Sequence, residues 1–501
     1  MRRAWIAFLV VVVAVCTLAV RAQNGYSFQE SNNPTYPVLT IIHLNDVYEI
    51  LPVEGGRSGG LARVATVVGY SHKAGMPVLT TLGGDYLSPS ALGTARVDGK
   101  PLAGRQMVDV LNAMGLDWAT FGNHEFDVSE EAFRAHLTQA RFHLVSTNVT
   151  DASGQPFPGV ATSAIVPMTI AKQTRRIGLI GVTIPATQKP WVKYRDVIQS
   201  AREEIAKLRG KVDAIIALTH LSVPQDAEFV AALPEIDVVL GGHEHENWDI
   251  RRGAHFTPII KADANVRSIA IVQLAFGAEG SRPSVTSKLQ VIDDRVPTDP
   301  AVDAVARKWV QIGFEAFRKD GFSPETVVAT STEPLDGRES VVRNTHGRLT
   351  DLITDAQARE MKGADAAIFN GGSIRIDDVI PPGPITEYDI IRVLPFGGKI
   401  VGATLDGALL LKVLDVGLSN VGIGGFLHYW GITRENGAWQ IQGKPIEPAG
   451  RYKVALTDYL LSGGEANLGF LTRDNPGVRD VQEFRDVRRA VIETLAATYT
   501  K

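Results

Sequence analysis

The sequence predicts an α/β protein with two domains joined by a helix. Short β-branched runs that end in polar motifs predict buried strands, and one long helical pattern near residue 300 predicts the connection. The 479 residues that follow position 22 are too many for a single core, so two domains are expected. We place them at residues 38–295 and 326–501, with the linker helix at 298–321.

Four apolar runs in the first domain each precede a motif rich in Asp, His, Asn or Gly. Ligands gather beyond the strand ends of layered α/β proteins, so the four loops can converge on one point. Further runs at residues 144–145, 177–182 and 269–274 complete the set, and they imply two sheets layered between helices. The four runs are residues 38–42 before Asp46, 77–82 before Asp85, 215–218 before His220 and 236–240 before His243.

These motifs together indicate a site for two metal ions. Two neighbouring divalent ions need one carboxylate that can bridge them, and neutral imidazoles and amides that add ligands without adding charge. A single motif of this kind is usually only a turn, but several of them in one chain are specific. The motifs are Asp46, the Gly-Gly-Asp at 83–85, the Gly-Asn-His-Glu at 122–125, His220 and the Gly-His-Glu-His at 242–245.

In order and spacing, these motifs resemble the calcineurin-like metallophosphoesterases and, among them, the secreted two-domain 5'-nucleotidases. The resemblance covers residues 38 to 475. It implies a four-layer αββα first domain, a second α/β domain that binds substrate, and two divalent ions such as Mn, Zn, Co or Fe. The ligands it implies are Asp85 as the bridge, Asp46 and His245 on one ion, and Asn123, His220 and His243 on the other.

The family's catalytic pair corresponds to His124 and Asp127. A histidine beside the metals can stabilise the negative charge that gathers on phosphoryl oxygens, and a carboxylate partner keeps its imidazole oriented and protonated. One ligand position departs from the family's Asp-x-His, because Tyr48 stands where the histidine is usual. Three interpretations stay open: Tyr48 binds as phenolate and favours a ferric ion, it shapes the pocket without binding, or the first site is weak. We favour the second.

In the second domain, residues 370–375 resemble the family's Asn-Gly-Gly-x-x-Arg substrate motif. The glycines allow close approach of the backbone to a ligand, and a guanidinium suits phosphate or sugar oxygens. In the family, two aromatic side chains stack on the base of the substrate. The two residues that follow Gly463-Gly464-Glu465 depart from the Gly-aromatic pair that the family has at this point. The implied substrate residues are Arg343, Asn370, Gly372, Arg375, Phe396, Tyr459 and Glu465, while His346 stands where an acidic residue is usual.

The amino terminus predicts export. A basic start, an apolar run from Ala4 to Val20 and the Ala22 that ends the segment are typical of a signal peptide at residues 1–22, and the alternative is an uncleaved anchor. The only cysteine, Cys16, lies in this segment, so the mature fold does not depend on disulfides. We therefore expect a periplasmic or secreted protein with no later membrane span.

Charge argues for a small substrate. Without the three arginines of the first 22 residues, the chain has 48 basic and 55 acidic residues, a net charge of −7, and the sequence has no basic stripe. This composition argues against a nucleic-acid polymer as the main partner. We expect a phosphohydrolase that removes the 5'-phosphate from nucleoside monophosphates, with nucleotide sugars as a further substrate class. The alternatives are a sulfur-group hydrolase of the same fold acting on a carrier protein, and a nucleotide-binding protein with impaired catalysis.

Overall fold

The computed structural model describes residues 37–499. The predicted signal peptide at 1–22 lies outside the described residues. Within the described part of the chain, every helix is either too short or too polar to span a lipid bilayer.

The first domain contains seventeen strands in its described residues. They are β1 (Val38–Leu44), β2 (Val78–Leu82), β3 (Arg96–Val97), β4 (Lys100–Pro101), β5 (Trp118–Ala119), β6 (His143–Val145), β7 (Val149–Asp151), β8 (Val160–Ala161), β9 (Ser163–Ile170), β10 (Gln173–Thr183), β11 (Val192–Tyr194), β12 (Ala214–His220), β13 (Val238–Gly241), β14 (Trp248–Arg252), β15 (Thr257–Lys261), β16 (Ser268–Ala275) and β17 (Ser284–Val291).

Two mixed sheets of these strands lie face to face. One sheet has the order β17-β16-β1-β2-β5-β6-β8, and the other has the order β14-β15-β13-β12-β10-β9. The stretch β1-β2-β5-β6 is parallel, and so is the stretch β10-β12-β13-β15. Apolar side chains such as Leu39 and Ile41 of β1 pack between the sheets with Ile216 and Leu218 of β12. The carboxyl ends of β1, β2, β12 and β13 therefore meet at one edge of the sandwich.

Helices cover both outer faces of the sandwich. One face packs on a cluster that includes Leu61, Met107 and Trp309, and the other on a cluster that includes Ile205 and Phe229. The resulting four layers agree with the predicted α/β class. The helices up to residue 319 are α1 (Leu61–Lys73), α2 (Ala91–Thr94), α3 (Arg105–Met114), α4 (Glu130–Gln139), α5 (Val197–Leu208), α6 (Val223–Ala232) and α7 (Pro300–Lys319).

Helix α7 connects the two halves of the chain. Asp299 caps it by accepting hydrogen bonds from the backbone N–H groups of Ala301 and Val302, and Pro300 occupies the first turn, where a missing N–H costs nothing. Trp309 Nε1 donates to Asp109 Oδ2 at 3.1 Å, which holds the helix against the first domain.

The second domain is built on a five-stranded sheet in the order β24-β20-β28-β23-β29. Apolar side chains on its two faces form two separate clusters with the surrounding helices. Its strands are β18 (Val327–Ser331), β19 (Leu335–Asp336), β20 (Ala366–Asn370), β21 (Val379–Ile380), β22 (Gly383–Thr386), β23 (Lys399–Asp406), β24 (Leu427–Trp430), β25 (Ile432–Glu435), β26 (Ala438–Ile441), β27 (Lys444–Pro445), β28 (Arg451–Thr457) and β29 (Val478–Asp486). Its helices are α8 (Glu339–Val342), α9 (Arg348–Glu360), α10 (Glu387–Val393), α11 (Gly407–Ser419) and α12 (Val487–Thr498).

The two domains touch along a seam that is apolar near α7 and polar near the cleft. At the apolar part, the Tyr388 ring of α10 lies 4.7 Å from the Phe314 ring of α7. At the polar part, Arg392 of α10 lies 3.3 Å from Glu49 of the first domain and 2.6 Å from Asp378 of its own domain. All three charged side chains are buried, so their mutual pairing replaces the water that each would otherwise bind.

A fully buried lysine fixes two loops at the edge where the strands end. Lys261, the last residue of β15, donates from Nζ to the carbonyls of Leu221 at 2.6 Å and Gly242 at 2.7 Å. Its charge lies 2.9 Å from Asp226 Oδ2, and both side chains are 0% exposed. Because Leu221 and Gly242 directly adjoin His220 and His243, this lysine sets where both histidines lie.

Removing one partner of this buried pair should destabilise the fold. Asp226→Ala removes the nearer countercharge of the buried Lys261 and leaves only Glu244, at 3.8 Å, so we expect a loss of about 3–5 kcal/mol in the free energy of unfolding. The double variant Asp226→Leu with Lys261→Met removes both charges, so its free energy of unfolding should lie closer to that of the wild type. Urea unfolding and scanning calorimetry measure both effects.

The matched control is Glu131→Ala, which removes a carboxylate from the exposed pair with Lys100. Surface pairs contribute little, so its unfolding midpoint should not move. An Asp226→Ala midpoint equal to that of the control would contradict the role given to the buried pair.

Candidate functional site

Three of the predicted ligands converge at the shared strand edge. Asp46 follows β1, Asp85 follows β2, and His220 ends β12. One ligand atom from each lies within 4.8 Å of the other two, and all three side chains are buried. The loops therefore meet as the sequence predicts, with the carboxylates from one sheet and the histidine from the other.

The backbone is left-handed at several of these positions. The φ angles are 52° at Asp46, 56° at Asp85, 87° at His243 and 57° at His245. Left-handed backbone turns each side chain back toward the strand edge, and aspartate adopts it more readily than most residues. The neighbouring glycine is needed for space, since a Cβ on Gly122 would lie 2.1 Å from Asp85 Oδ1.

His220 presents a free nitrogen to the two carboxylates. Its Nδ1 donates to the Gly83 carbonyl at 2.8 Å, so Nε2 is the nitrogen that faces the carboxylates, 3.1 Å from Asp85 Oδ2. Burial alone would lower the pKa of His220, but the charges of Asp85 and Asp46 raise it to about 9. The pocket therefore favours positive charge at this point.

Two buried atoms of the site have no hydrogen-bond partner. They are Nε2 of His220 and Oδ1 of Asn123, whose side chain is 6% exposed. A buried polar atom without a partner is costly unless something else binds it. Carboxylate, imidazole and amide donors are the set that a divalent metal ion accepts, so these residues fit a metal site.

His243 and His245 complete the histidine set from the loop after β13. The His243 ring lies 5.3 Å from the His220 ring, and its backbone N–H donates to Asp46 Oδ2 at 2.9 Å. His245 has its two nitrogens directed at different domains, because Nε2 lies 3.6 Å from Asp46 Oδ1 while Nδ1 lies 2.8 Å from Asp377 Oδ2. Asp377 belongs to the second domain.

The phenol of Tyr48 lies among the predicted ligands. Its oxygen is 2.9 Å from His245 Nε2, 3.3 Å from Asp85 Oδ2 and 3.5 Å from Asp46 Oδ1. Burial, with the charges of Asp85 and Asp46, raises the pKa of Tyr48 well above its usual value. The protein groups around Tyr48 thus favour the neutral phenol, which can donate a hydrogen bond to either carboxylate.

His124 and Asp127 form a close pair at the rim of the same site. His124 Nδ1 donates to Asp127 Oδ2 at 2.5 Å, and the His124 backbone N–H donates to Asp85 Oδ1 at 2.8 Å. Burial alone would lower the pKa of His124, but the charges of Asp85 and Asp127 raise it. The arrangement favours the protonated imidazole and leaves Nε2 free for another partner.

Glu125 has a positioning role that the sequence analysis missed. Its buried carboxylate accepts backbone N–H groups of Asp85 at 2.9 Å, Tyr86 at 2.7 Å and Leu87 at 3.1 Å, and also that of Gly122. Burial, with the charge of Asp85, raises the pKa of Glu125 to about 7. One side chain thus fastens the loops after β2 and β5. The sequence signal for this role was the position of Glu125 inside the Gly-Asn-His-Glu motif.

Arg343 and Arg375 of the second domain lie near a shared carboxylate. Arg343 forms an ion pair with Glu339, and Arg375 NH1 lies 3.6 Å from the same carboxylate. The Nε atoms of both arginines are buried and have no hydrogen-bond partner. Arg343, Glu339, Asp85, His124 and His245 line one cleft of about 580 Å³ between the domains. Glu339 was not among the predicted residues.

The Asn370 motif begins at the last residue of β20. Asn370 donates from Nδ2 to Glu465 Oε2 and accepts from the Ser373 hydroxyl at 2.8 Å, so the first of these bonds joins two predicted substrate residues. Gly372 lies close to protein backbone, and its predicted role toward substrate stays a prediction. A Cβ on Gly372 would lie 2.8 Å from Gly424 Cα, so the glycine is required by packing between two chain segments.

The two predicted stacking rings are accessible. Phe396 is 57% exposed and Tyr459 is 45% exposed, although apolar rings of this size are usually covered. Phe396 lines an interdomain cavity of about 400 Å³ together with Asp127 and Arg488. The Tyr459 hydroxyl donates to the Gly464 carbonyl at 3.0 Å, which fixes the ring next to Glu465. The His346 ring is also exposed, and it contacts the rings of Tyr429 and His428 in the second domain.

Two family models match the chain. The model described as calcineurin-like phosphoesterase matches residues 39–247, and the model described as 5'-nucleotidase, C-terminal domain, matches residues 327–471. The matched segments cover the site of the first domain and the Asn370 motif, Phe396 and Tyr459 of the second.

Individual relatives agree with these matches. The chain is 27% identical to the trifunctional nucleotide phosphoesterase protein YfkN of Bacillus subtilis over 89% of its own length, although it spans only 34% of that protein. It is 26% identical to the 5'-nucleotidase of Bos taurus, over 85% of this chain and 83% of that protein. The crystal structure of a 5'-nucleotidase precursor from Thermus thermophilus shares the fold, with a TM-score of 0.75 and 23% identity over 92% of this chain and 96% of that one. The converging loops, the two matched domains and these relatives lead to one conclusion. The chain belongs to the two-domain 5'-nucleotidase family of calcineurin-like metallophosphoesterases and is a phosphoric monoester hydrolase.

Proposed function

We propose that the protein removes the 5'-phosphate from nucleoside monophosphates with the help of two divalent metal ions, and that nucleotide sugars are a further substrate class. The observation that carries the proposal is the pair of unpartnered buried atoms, His220 Nε2 and Asn123 Oδ1, beside the carboxylate of Asp85. The 5'-nucleotidases among its relatives support the choice of substrate.

The proposed ligands divide into two sets that share one residue. When bound, the ions supply positive charge that polarises the phosphoryl group and makes the attacking water more acidic. Mn, Zn, Co and Fe all suit this mixture of oxygen and nitrogen donors. Asp85 would bridge, with Asp46 and His245 on the first ion and Asn123, His220 and His243 on the second.

His124 would act on the phosphoryl oxygens. Asp127 holds Nδ1 of the ring, so the proton on Nε2 can be donated to an oxygen that gains negative charge in the transition state. Arg343 and Arg375 would bind the substrate from the second domain through their guanidinium groups, which suit phosphate or sugar oxygens.

The nucleoside would lie on the second domain. Phe396 and Tyr459 offer accessible ring faces for a base, and the Asn370–Glu465 pair offers polar atoms next to Tyr459. Gly372 would contribute by letting residues 370–375 pack closely. These accessible rings favour a nucleotide over the carrier-protein substrate of a sulfur-group hydrolase, for which flat aromatic faces have no use.

The proposed domain limits are residues 38–295, 298–321 for the linker helix, and 326–501. Since the metal ligands lie on one domain and the base-binding rings on the other, closure about α7 would bring the phosphate to His124. We also propose a periplasmic or secreted location, on the basis of residues 1–22.

Replacing His124 tests the chemical step. His124→Ala should lower kcat about 10²- to 10⁴-fold, because the proton donor to the phosphoryl oxygens is lost, while the bound metal content stays unchanged. Phosphate release from nucleoside monophosphates, a nucleotide sugar and a simple phosphate ester measures this, with manganese, zinc, cobalt or iron restored singly to metal-free protein.

The control for this variant is His72→Ala, an exposed histidine in the last turn of α1. It should retain wild-type rates. Full activity of His124→Ala with any metal would contradict the proposed role.

Replacing Phe396 tests the site of the base. Phe396→Ala should lower kcat/KM for nucleoside monophosphates about 5- to 150-fold, the equivalent of about 1–3 kcal/mol for one stacking contact. A simple phosphate ester lacks a base, so its hydrolysis should not change. Phe256→Ala, which removes a ring that is 72% exposed in the first domain, is the matched control. Equal losses for both substrates would rule out stacking on Phe396.

Replacing Tyr48 distinguishes two of its interpretations, a neutral phenol that shapes the pocket and a phenolate ligand. If the neutral phenol only shapes the pocket, Tyr48→Phe should still bind two metal ions, with activity reduced less than about tenfold for the loss of one neutral hydrogen bond. Metal analysis and visible absorption of the iron-loaded protein measure this. Loss of one ion together with loss of a visible absorption band would identify Tyr48 as a phenolate ligand instead.

A further inference from the structure

We propose that Asp377 of the second domain positions the metal-binding ring of His245, so that contact between the two domains strengthens metal binding in the first domain. This inference rests on the proposed function, because it takes His245 as a ligand of the first ion. Nothing in the matched motifs assigns a role to Asp377, which lies two residues beyond Arg375.

The contacts of the His245 ring carry the inference. Nδ1 lies 2.8 Å from Asp377 Oδ2, while Nε2 lies 3.6 Å from Asp46 Oδ1. A carboxylate that holds one ring nitrogen keeps the proton there and directs the lone pair of the other nitrogen to a metal. For His220 the same task is performed by the Gly83 carbonyl of its own domain. His245 relies on the other domain.

Asp377 is itself held in a single position. Its side chain is 7% exposed, and its second oxygen, Oδ1, accepts the backbone N–H of Glu339 at 2.9 Å. Its backbone is left-handed, with a φ of 42°, which turns the carboxylate out of the loop toward the first domain. Because Oδ1 is held by the backbone of Glu339, Oδ2 is presented to the ring in a fixed position.

The next residue of the same short segment, Asp378, also contacts the first domain. Asp378 Oδ2 lies 3.3 Å from the backbone nitrogen of Glu54 in the first domain, which donates to it, and 2.6 Å from Arg392. Both carboxylates thus reach groups of the first domain only while the domains are in contact. Metal affinity and domain closure must then be linked, and each strengthens the other.

The test uses the full-length protein stripped of metal and titrated with Mn²⁺ against a chromogenic chelator. Asp377→Ala should lower the Mn²⁺ affinity of one of the two metal sites about 10- to 100-fold and leave the affinity of the other site unchanged. Loss of the carboxylate partner of a metal-binding histidine typically has an effect of this size. Asp377→Asn keeps a hydrogen-bond acceptor without the charge, so its Mn²⁺ affinity should lie between those of the wild type and Asp377→Ala. The visible spectrum of the Co²⁺ form should change in Asp377→Ala, because the orientation of one nitrogen ligand changes.

The matched control is Asp355→Ala, which removes a carboxylate paired with Arg359 on its own helix α9 and should bind both ions as the wild type does. Equal Mn²⁺ affinities in Asp377→Ala and wild type would overturn the inference and leave the proposed function standing. An equal loss at both sites would also overturn it, since that indicates general loss of structure. A wild-type protein that binds no metal would overturn both.

Discussion

Two buried carboxylates, Asp46 and Asp85, lie close together at the joint edge of the two sheets, and the groups around them compensate their charge. Buried charges are tolerated only when paired or hydrogen-bonded. Backbone N–H groups of His243 and His124 donate to them, and the ring of His220 faces both. The parallel strands deliver these groups to one edge, and glycine at 122 leaves room for them. The sandwich, its tight turns and its histidine loops can thus be understood as the support of one negatively charged pocket.

Much of this arrangement could be predicted because it is encoded locally. A β-branched run followed by Asp or His specifies both a strand and what lies beyond its end, which is why the convergence of Asp46, Asp85 and His220 followed from their positions alone. Helix α7 was equally predictable, since Asp299 and Pro300 mark its start.

The groups that were missed act through contacts between distant segments. Lys261 and Asp226 form their pair from a strand and a helix, and Asp377 meets His245 across 132 residues of sequence. Periodicity and spacing describe neighbours along the chain, so they contain no signal for such contacts. Gly372 is a similar case, because its motif was recognised from the sequence but its packing against Gly424 was not.

The left-handed backbone at Asp46, Asp85, His243 and His245 has a consequence for how this chain could change over evolution. Each such residue adds conformational strain of order ~1 kcal/mol that glycine would avoid, and the two aspartates add mutual repulsion. Substitution of these positions by small neutral residues would relieve both. Folding alone therefore does not account for this set of side chains, since their joint presence lowers stability and is expected only where the pocket has a task beyond folding.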